Sequence, residues 1–336
     1  MPKRVTQQDV AHLAGVSYQT VSRVMNNSPR VAPETRDRVM QVIAHLGYQP
    51  HAIARGLASN RTRTLGLITS DFSDYFFTQV IIGAEQEARH AGYFFMLGST
   101  ERNPADEPEY IRLLSQYSVD GFFFARPSTE EDNRHLLALL HSGVPLVTTA
   151  YYLPGEPMRV VDIDNMDGGY CATSHLVELG HHRIAMITGP RKWKSAGDRS
   201  AGYTRALQDA GIPFAEELVA EGDWEIASGH RAMQQILNRG VKFTALFAQN
   251  DRMAIGAMHA MREAGRRIPD DVAVIGYDDI PASEFTWPPL STMAQPMQEV
   301  GRIAARLLIE TIEDPTTPPR EILLRAKLVC RATCGH

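Results

Sequence analysis

Residues 6–48 place apolar side chains at three- and four-residue spacing, in short runs broken by glycines. Val10, Leu13 and Ala14 fall on one face of a first helix, and Val21 and Val24 on one face of a second. Val39, Val42, Ile43 and Leu46 give a third helix its apolar face. Gly15 permits a left-handed turn between the first two helices, Val16 plugs the gap between them, and Gly47 ends the third. Thr6 is placed to cap the first helix, with Asp9 three residues on in capping-box spacing. Ser17 is placed to cap the second, while Ala32, Pro33 and Glu34 open the third. If Val21 and Val24 pack inward against Val10 and Ala14, the second helix turns Tyr18, Gln19, Ser22 and Arg23 outward.

From Thr64 the pattern changes. Continuous apolar runs at 65–69, 94–97, 121–124, 145–149, 160–163, 184–187, 245–248 and 272–275 read as buried strands. Amphipathic stretches at 76–91, 106–117, 167–179, 198–210 and 251–264 read as the helices between them. Apolar strands alternating with such helices predict parallel sheets covered on both faces, and two series of them predict two doubly wound subdomains with a cleft between. Between the two regimes, 51–58 has weak helical character and contains Gly56, so it is not expected to persist alone as a helix. The expected division is a headpiece at 1–49, a hinge at 50–62 and a two-subdomain core at 63–336.

Charge sharpens that division. The net charge of −5 over 336 residues conceals nine Lys/Arg against three acids in residues 1–63, a balance of +6 that leaves −11 for the rest. A basic head on an acidic body is the footprint of a nucleic-acid module joined to something else. The 43% hydrophobic content is that of an ordinary globular protein, and no run of about 18 apolar residues predicts a membrane span. The opening MPKRVT has no apolar stretch behind its basic residues, so no secretory signal is expected and the location expected is cytoplasmic. Cys171, Cys330 and Cys334 are odd in number and lack metal-ligand spacing in sequence, and the His181–His182 pair has no Cys or acid pair to complete a site. No metal is expected. No Gly-rich phosphate loop follows any strand, so no nucleotide cofactor is expected either.

The outward set of the second helix is suited to DNA, since Arg and Gln make bidentate contacts to guanine and adenine in the major groove. The stretch VSYQTVSRV at 16–24 closely resembles the recognition helix of the LacI/GalR family of bacterial transcription regulators. Further landmarks follow in order: DFSDYFF at 71–77, VDIDNMDG at 161–168, GHHRI at 180–184, DRSAGY at 198–203, NDRMA at 250–254, VIGYDD at 274–279 and PPLST at 288–292. The resemblance covers nearly the whole chain. It implies a helix-turn-helix headpiece on a periplasmic-binding-protein-like core, acting as a homodimeric repressor of carbohydrate-utilisation genes that a sugar effector releases from double-stranded operator DNA. DNA contacts are implied at Thr6, Ser17, Tyr18, Gln19, Thr20, Ser22, Arg23 and Asn26, with Leu57 as a minor-groove wedge in the hinge. His51 departs from the family's usual Asn. The chain ends at 331–336 without a heptad tail, so assembly is expected to stop at the dimer.

Polar residues just past the strand ends suggest the effector cleft, because ligands of open α/β sheets sit at the carboxyl ends of strands. Asp71, Phe77, Arg199, Trp224, Asn250 and Asp278 are the candidates: Arg and Asp hold hydroxyl pairs, and an indole stacks on the C–H face of a sugar ring. Asp164 and Asn165 look like structural caps. Where many relatives carry an acid after the 145–149 strand, this chain has Ala150, Tyr151 and Tyr152, so that carboxylate contact is either absent or replaced by a tyrosine. Arg126 is either a further effector contact, favouring an acidic or larger sugar, or a solvated rim residue. Two other classes compete. A sugar binder without DNA activity is disfavoured by the basic head, and an enzyme by the lack of a placed nucleophile, carboxylate pair or cofactor loop.

Overall fold

A computed structural model of the chain describes residues 5–25, 28–48, 61–126 and 133–335. It divides into two compact units, Met1–Thr62 and Arg63–His336.

The first unit contains helices α1 (Gln7–Ala14), α2 (Tyr18–Met25) and α3 (Pro33–Leu46). Thr6 and Asp9 form the reciprocal capping box, and Gly15 takes the left-handed turn at φ 63°. Ser17 Oγ accepts from the Thr20 amide at 3.1 Å, capping α2. Val10, Ala14, Val21, Val24 and Val39 form the small core. Leu13 departs from expectation: it is 54% exposed, and Ala11 is buried instead. The packed stripe of α1 is therefore rotated by part of a turn, which suits the closer approach of a small side chain. Arg36 ties the segment after α2 to α3, donating to the Ser28 carbonyl at 2.6 Å.

The second unit holds two six-stranded sheets. The first contains β1 (Thr64–Thr69), β2 (Phe94–Ser99), β3 (Gly121–Ala125), β4 (Leu146–Thr149), β5 (Val160–Ile163) and β11 (Glu321–Leu324), in the order β11-β5-β4-β3-β1-β2, all parallel. The second contains β6 (Ile184–Thr188), β7 (Val219–Glu221), β8 (Ala245–Ala248), β9 (Ala273–Asp278), β10 (Ser291–Ala294) and β12 (Lys327–Val329), in the order β12-β10-β9-β8-β6-β7, with only β12 antiparallel. Phe122, Phe123 and Phe124 show why β3 is central. Phe123 packs into the core on one face while Phe122 and Phe124 pack into the core on the other, as a strand buried on both sides requires.

Helices α4 (Tyr75–His90), α5 (Glu107–Gln116), α6 (Arg134–His141) and α11 (Met297–Glu313) cover the first sheet. Helices α7 (Asn165–Glu178), α8 (Lys194–Asp209), α9 (Ile226–Asn238) and α10 (Asp251–Glu263) cover the second. The chain passes between the two sheets three times: after β5, after β10 and after β11. Gly169 on α7 and Gly202 on α8 let the two backbones meet, since a Cβ on Gly169 would stand 2.3 Å from the Arg199 carbonyl oxygen. That approach fixes where Arg199 leaves its helix. Among the described residues, no helix is long and apolar enough to cross a membrane.

Candidate functional site: a recognition helix and a subdomain cleft

The headpiece presents its polar residues as the spacing of α2 dictates. Val21 and Val24 are buried, whereas Tyr18, Gln19 and Arg23 are exposed and Ser22 is half-buried. Thr6 and Ser17 each stand at the N-terminus of a helix, where free amides and the helix dipole favour a phosphate. Ser17 Oγ and Thr20 Oγ1 are 2.9 Å apart, so these two hydroxyls also hold each other. Asn26 and Leu57 lie outside the described residues.

In the core unit, Phe77, Arg199, Trp224, Asn250 and Asp278 all line one cavity in the cleft between the two sheets, together with Asp74, Asp162, Trp193 and Gln295. The chain crossings build much of this wall. Asp162 is the penultimate residue of β5 and Asn165 opens α7 on either side of the first crossing, while Gln295 sits in the second.

Arg199 is the centre of the arrangement. Helix α8 begins at Lys194, so Arg199 lies in its second turn rather than at its start as the sequence suggests. Its guanidinium is buried, donating from Nε to Asn165 Oδ1 at 2.8 Å and from Nη1 to the Gln249 carbonyl at 2.5 Å. Its face lies 3.7 Å from the Tyr277 ring centroid and 5.7 Å from that of Trp224. Nη2 makes no hydrogen bond among the described residues. Trp224 sits at φ +73°, a left-handed backbone uncommon for a tryptophan. Its indole rests on Gly189, where a Cβ would come within 2.0 Å of the ring, and its buried Nε1 has no partner among the described residues. Trp193 lies 5.5 Å away, centroid to centroid, adding a second indole to the wall.

Asn250 has a double duty. Its Oδ1 accepts from the Met253 amide at 2.8 Å, capping α10, and its Nδ2 donates to the Trp224 carbonyl at 2.9 Å. It lines the cavity, but its polar atoms are committed to holding Trp224 in its strained pose.

The carboxylates are unusual in number. Asp278, at φ 113°, accepts from Gln295 Nε2 at 2.5 Å, and burial raises its carboxyl well above the usual range. Asp162 accepts from the Tyr152 hydroxyl at 3.2 Å and from the Ile163 amide at 2.7 Å, and burial pushes it up to about 6. Asp74 caps α4 through the Phe77 amide at 3.2 Å and is likewise raised by burial. Several acceptors around a single buried cation suit a ligand that brings many donors.

Two expected effector residues are engaged elsewhere. Asp71 does not line the cavity. Its Oδ2 accepts from Arg102 Nε at 2.8 Å, and Arg102 reaches on to Glu225 of the other subdomain at 3.4 Å. Arg252 meets the same Glu225 at 2.5 Å, so Asp71 is the outer end of a four-charge chain across the two subdomains. Arg126 does not line the cavity either: it is buried against Glu107 at 2.6 Å and lies 4.0 Å above the Tyr151 ring. A carboxylate and an aromatic face offset the cost of burying a guanidinium, so Arg126 is a buried structural pair and not a solvated rim residue. Tyr151 accordingly points into the first subdomain's core. Asp162, on the neighbouring strand β5, is a carboxyl that does line the cavity. Nothing in the sequence singles out Trp193 or Gln295 as wall residues. Asp162 stands in a family motif, but one strand of sequence does not show which face meets a cleft.

Known proteins share this anatomy. Residues 6–51 match the family model for bacterial regulatory proteins of the lacI family, and residues 173–334 match that for a periplasmic binding protein-like domain. The chain is 38% identical over 336 residues to the HTH-type transcriptional regulator CelR of Thermobifida fusca, covering 98% of each chain. It is also 38% identical to the HTH-type transcriptional repressor PurR of Aliivibrio fischeri, again over 98% of each. Among solved structures it resembles a complex of the regulator CelR with cellobiose, with 36% identity, TM-score 0.76, and 98% and 100% of the two chains covered. It also resembles a lac repressor dimer bound to operator and an anti-inducer, with 33% identity, TM-score 0.87, and 98% and 99% covered.

Proposed function

The chain belongs to the lacI family of bacterial regulatory proteins, and we propose that it is a homodimeric repressor of carbohydrate-utilisation genes, released from its operator when a sugar seats against Arg199. In this reading residues 1–49 read the operator, 50–62 form a hinge in which Leu57 wedges into the minor groove, and 63–336 dimerise and bind the effector. It works in the bacterial cytoplasm, where its DNA lies, and converts no substrate.

The observation that carries the effector class is the pairing of a buried guanidinium and unpartnered indole N–H with three carboxyl groups, Asp162 buried and Asp74 and Asp278 half-buried, all on one cavity. A polyol supplies many hydroxyls that donate to the carboxylates and accept from Arg199 and Trp224, while its ring C–H face covers the indoles. One solved relative is a complex with cellobiose, a ligand of the same chemistry. The two indoles would also receive a planar heterocycle such as a purine base. That is the competing occupant, and the test separates the two.

Binding couples to DNA because the cavity is shared by both subdomains. A ligand that holds them together changes the first subdomain, which the hinge enters directly. The coupling is reciprocal, so operator DNA weakens the sugar by the factor by which the sugar weakens DNA. A thermal-shift panel of mono- and disaccharides beside purine bases, followed by operator gel shifts with each hit, tests this. A carbohydrate hit that releases operator is expected. A purine hit that strengthens operator binding, with no carbohydrate hit, overturns the reading.

A further inference from the structure

Away from the cleft, the C-terminal segment gathers a group of soft donors that are far apart in sequence. Cys330 follows β12, Cys334 lies in the terminal turn, and His175 is in the last turn of α7, 155 residues upstream of Cys330. One donor atom from each lies within 4.8 Å of the other two. Cys330 Sγ and His175 Nε2 are 3.8 Å apart. With Zn–S about 2.3 Å and Zn–N about 2.0–2.1 Å at a tetrahedral angle, such a pair would stand roughly 3.5 Å apart. The donors are therefore already near ligating distance.

The terminal turn is held rigidly enough to present them. Thr333 Oγ1 donates to the Val274 carbonyl at 2.7 Å and accepts from the Ser291 amide at 2.8 Å, tying the turn to β9 and β10. Arg331 donates to the Leu290 carbonyl at 2.8 Å and pairs with Asp279 at 2.7 Å. Ser291 Oγ accepts from the Arg331 amide at 2.8 Å, which leaves its own proton for Cys334 Sγ, 3.0 Å away. A hydroxyl donating to sulfur stabilises a thiolate, as outer-shell partners of metal ligands do. Burial is graded across the three, with Cys334 buried, His175 half-buried and Cys330 exposed, so an ion has an inner anchor and a solvent-side entry.

We infer that His175, Cys330 and Cys334 bind a divalent cation of the zinc class, with water in the fourth position, and so staple the C-terminal turn to α7. Two thiolates and an imidazole select zinc or cobalt over the hard cations magnesium and calcium. A second group, His230, His259 and Glu263, also has donors within 4.8 Å, but it offers only nitrogen and oxygen. That difference in donor chemistry makes the test specific.

The full-length protein, reduced and desalted without air, is titrated with cobalt(II). Binding at the proposed site produces a near-ultraviolet sulfur-to-cobalt charge-transfer band that saturates at one equivalent per chain and is displaced by zinc. Magnesium has no effect, and zinc raises the Tm. Cys330→Ser, at an exposed position, is expected to remove the band while leaving the apo circular-dichroism spectrum unchanged. His175→Gln is expected to weaken cobalt by more than the ~10–100-fold typical of losing an outer-shell partner. His259→Ala is expected to leave the band intact. Absence of a charge-transfer band in the reduced protein, or its survival in Cys330→Ser, overturns the inference. A band abolished in His259→Ala but kept in His175→Gln would do the same.

Discussion

Helix α2 turns Tyr18, Gln19 and Arg23 to solvent from eight consecutive residues. The cleft collects its side chains from both subdomains, buries Phe77, Asp162, Asn165, Arg199 and Asn250 among them, and holds Ala150, Trp224 and Asp278 at positive φ. The headpiece therefore separates its two tasks: valines fold it, and the opposite face is the one that reads DNA in the proposed function. In the cleft the two tasks fall on the same atoms. Arg199 packs against Tyr277 and braces Asn165, and in the proposed function it also holds the ligand. Changing a reading residue of α2 should alter recognition without altering stability. Changing a cleft residue should alter both, and the strain and buried charge there mark where stability has been given up for binding.

The strongest test of that contrast is Arg199→Ala. It removes the only cation lining the cavity among the described residues, strands Asn165 Oδ1, and opens a gap beside Tyr277. A hydrogen bond from a charged donor is worth about 1.5–3 kcal/mol, so losing the guanidinium's bond to the ligand should lower sugar affinity by ~10–100-fold, and losing its bonds to Asn165 and the Gln249 carbonyl should lower the Tm. Operator affinity should stay close to that of the parent. Calorimetry with the sugar and a gel shift without it read the two halves separately. A variant that still releases operator at the parent sugar concentration would place the effector elsewhere.

Asp162→Asn sharpens the contrast by giving opposite signs. The folded protein holds this carboxyl up to about 6 against 3.8 for a free one, so folding favours its protonated form. The stability it contributes is fully present below about pH 3.8 and is lost as pH rises through 6. At pH 7.5 the ionised group costs roughly 3 kcal/mol. Asn cannot ionise, and its amide can face the Tyr152 oxygen while its carbonyl keeps the Ile163 amide. Denaturant melts should show the variant more stable than the parent at pH 7.5 and the gain vanishing near pH 4, while sugar binding weakens at neutral pH. A gain that is the same at both pH values would mean that ionisation of Asp162 is not its source.

Arg23→Ala examines the other side. The side chain is exposed, and if it makes a bidentate contact to guanine, its removal should cost roughly 1–3 kcal/mol at one base pair of each half-site. The Tm should move by no more than the ~0.5 kcal/mol equivalent usual for surface changes. Competition with a set of single-base operator variants reads the specificity directly. A uniform loss across all of them, with a shallower salt dependence, would make Arg23 a phosphate contact instead.

How far each region can be read from sequence follows from the same difference. Capping box, glycine turn and buried valines of the headpiece are local, and they stand where their spacing puts them, apart from Leu13. The order of strands and helices through β9 is legible for the most part, because each run of apolar residues is its own signal. Helices α6, α9 and α11 escape that reading, as do the short strand β7 and strands β10 to β12, whose mixed residues gain their burial only from neighbours far along the chain. The cleft is half legible. Asp278 ends β9, Trp224 follows β7 and Arg199 lies on the helix after β6, close to where a general rule looks for them. Gln295 lies in a chain crossing that only the topology defines, and Trp193 precedes a helix whose start lies four residues earlier than its periodicity suggests. Arg126 and Asp71 show the converse error: a charge beside a strand end suggests a ligand, whereas Glu107 and Arg102 already claim these two.

Arg102 offers the finest test, because it belongs to neither extreme. It is an exposed residue whose partners belong to both subdomains: Asp71 at 2.8 Å on its own side and Glu225 at 3.4 Å on the other. An exposed ion pair is worth about 0.2–1 kcal/mol and is screened by salt. If the chain from Asp71 to Arg252 helps hold the subdomains together, Arg102→Gln should raise the sugar dissociation rate by no more than about fivefold, leave the association rate nearly unchanged, and lose its effect in high salt. The residue does not line the cavity, so the pocket's selectivity among sugars should not change. Stopped-flow tryptophan fluorescence at low and high salt reads all of this, since Trp224 and Trp193 line the cavity. An unchanged dissociation rate at low salt would show the chain to be an ornament of one closed pose. A loss as large as that of Arg199→Ala would mean that the cleft's stability rests on its exposed rim rather than on its buried centre.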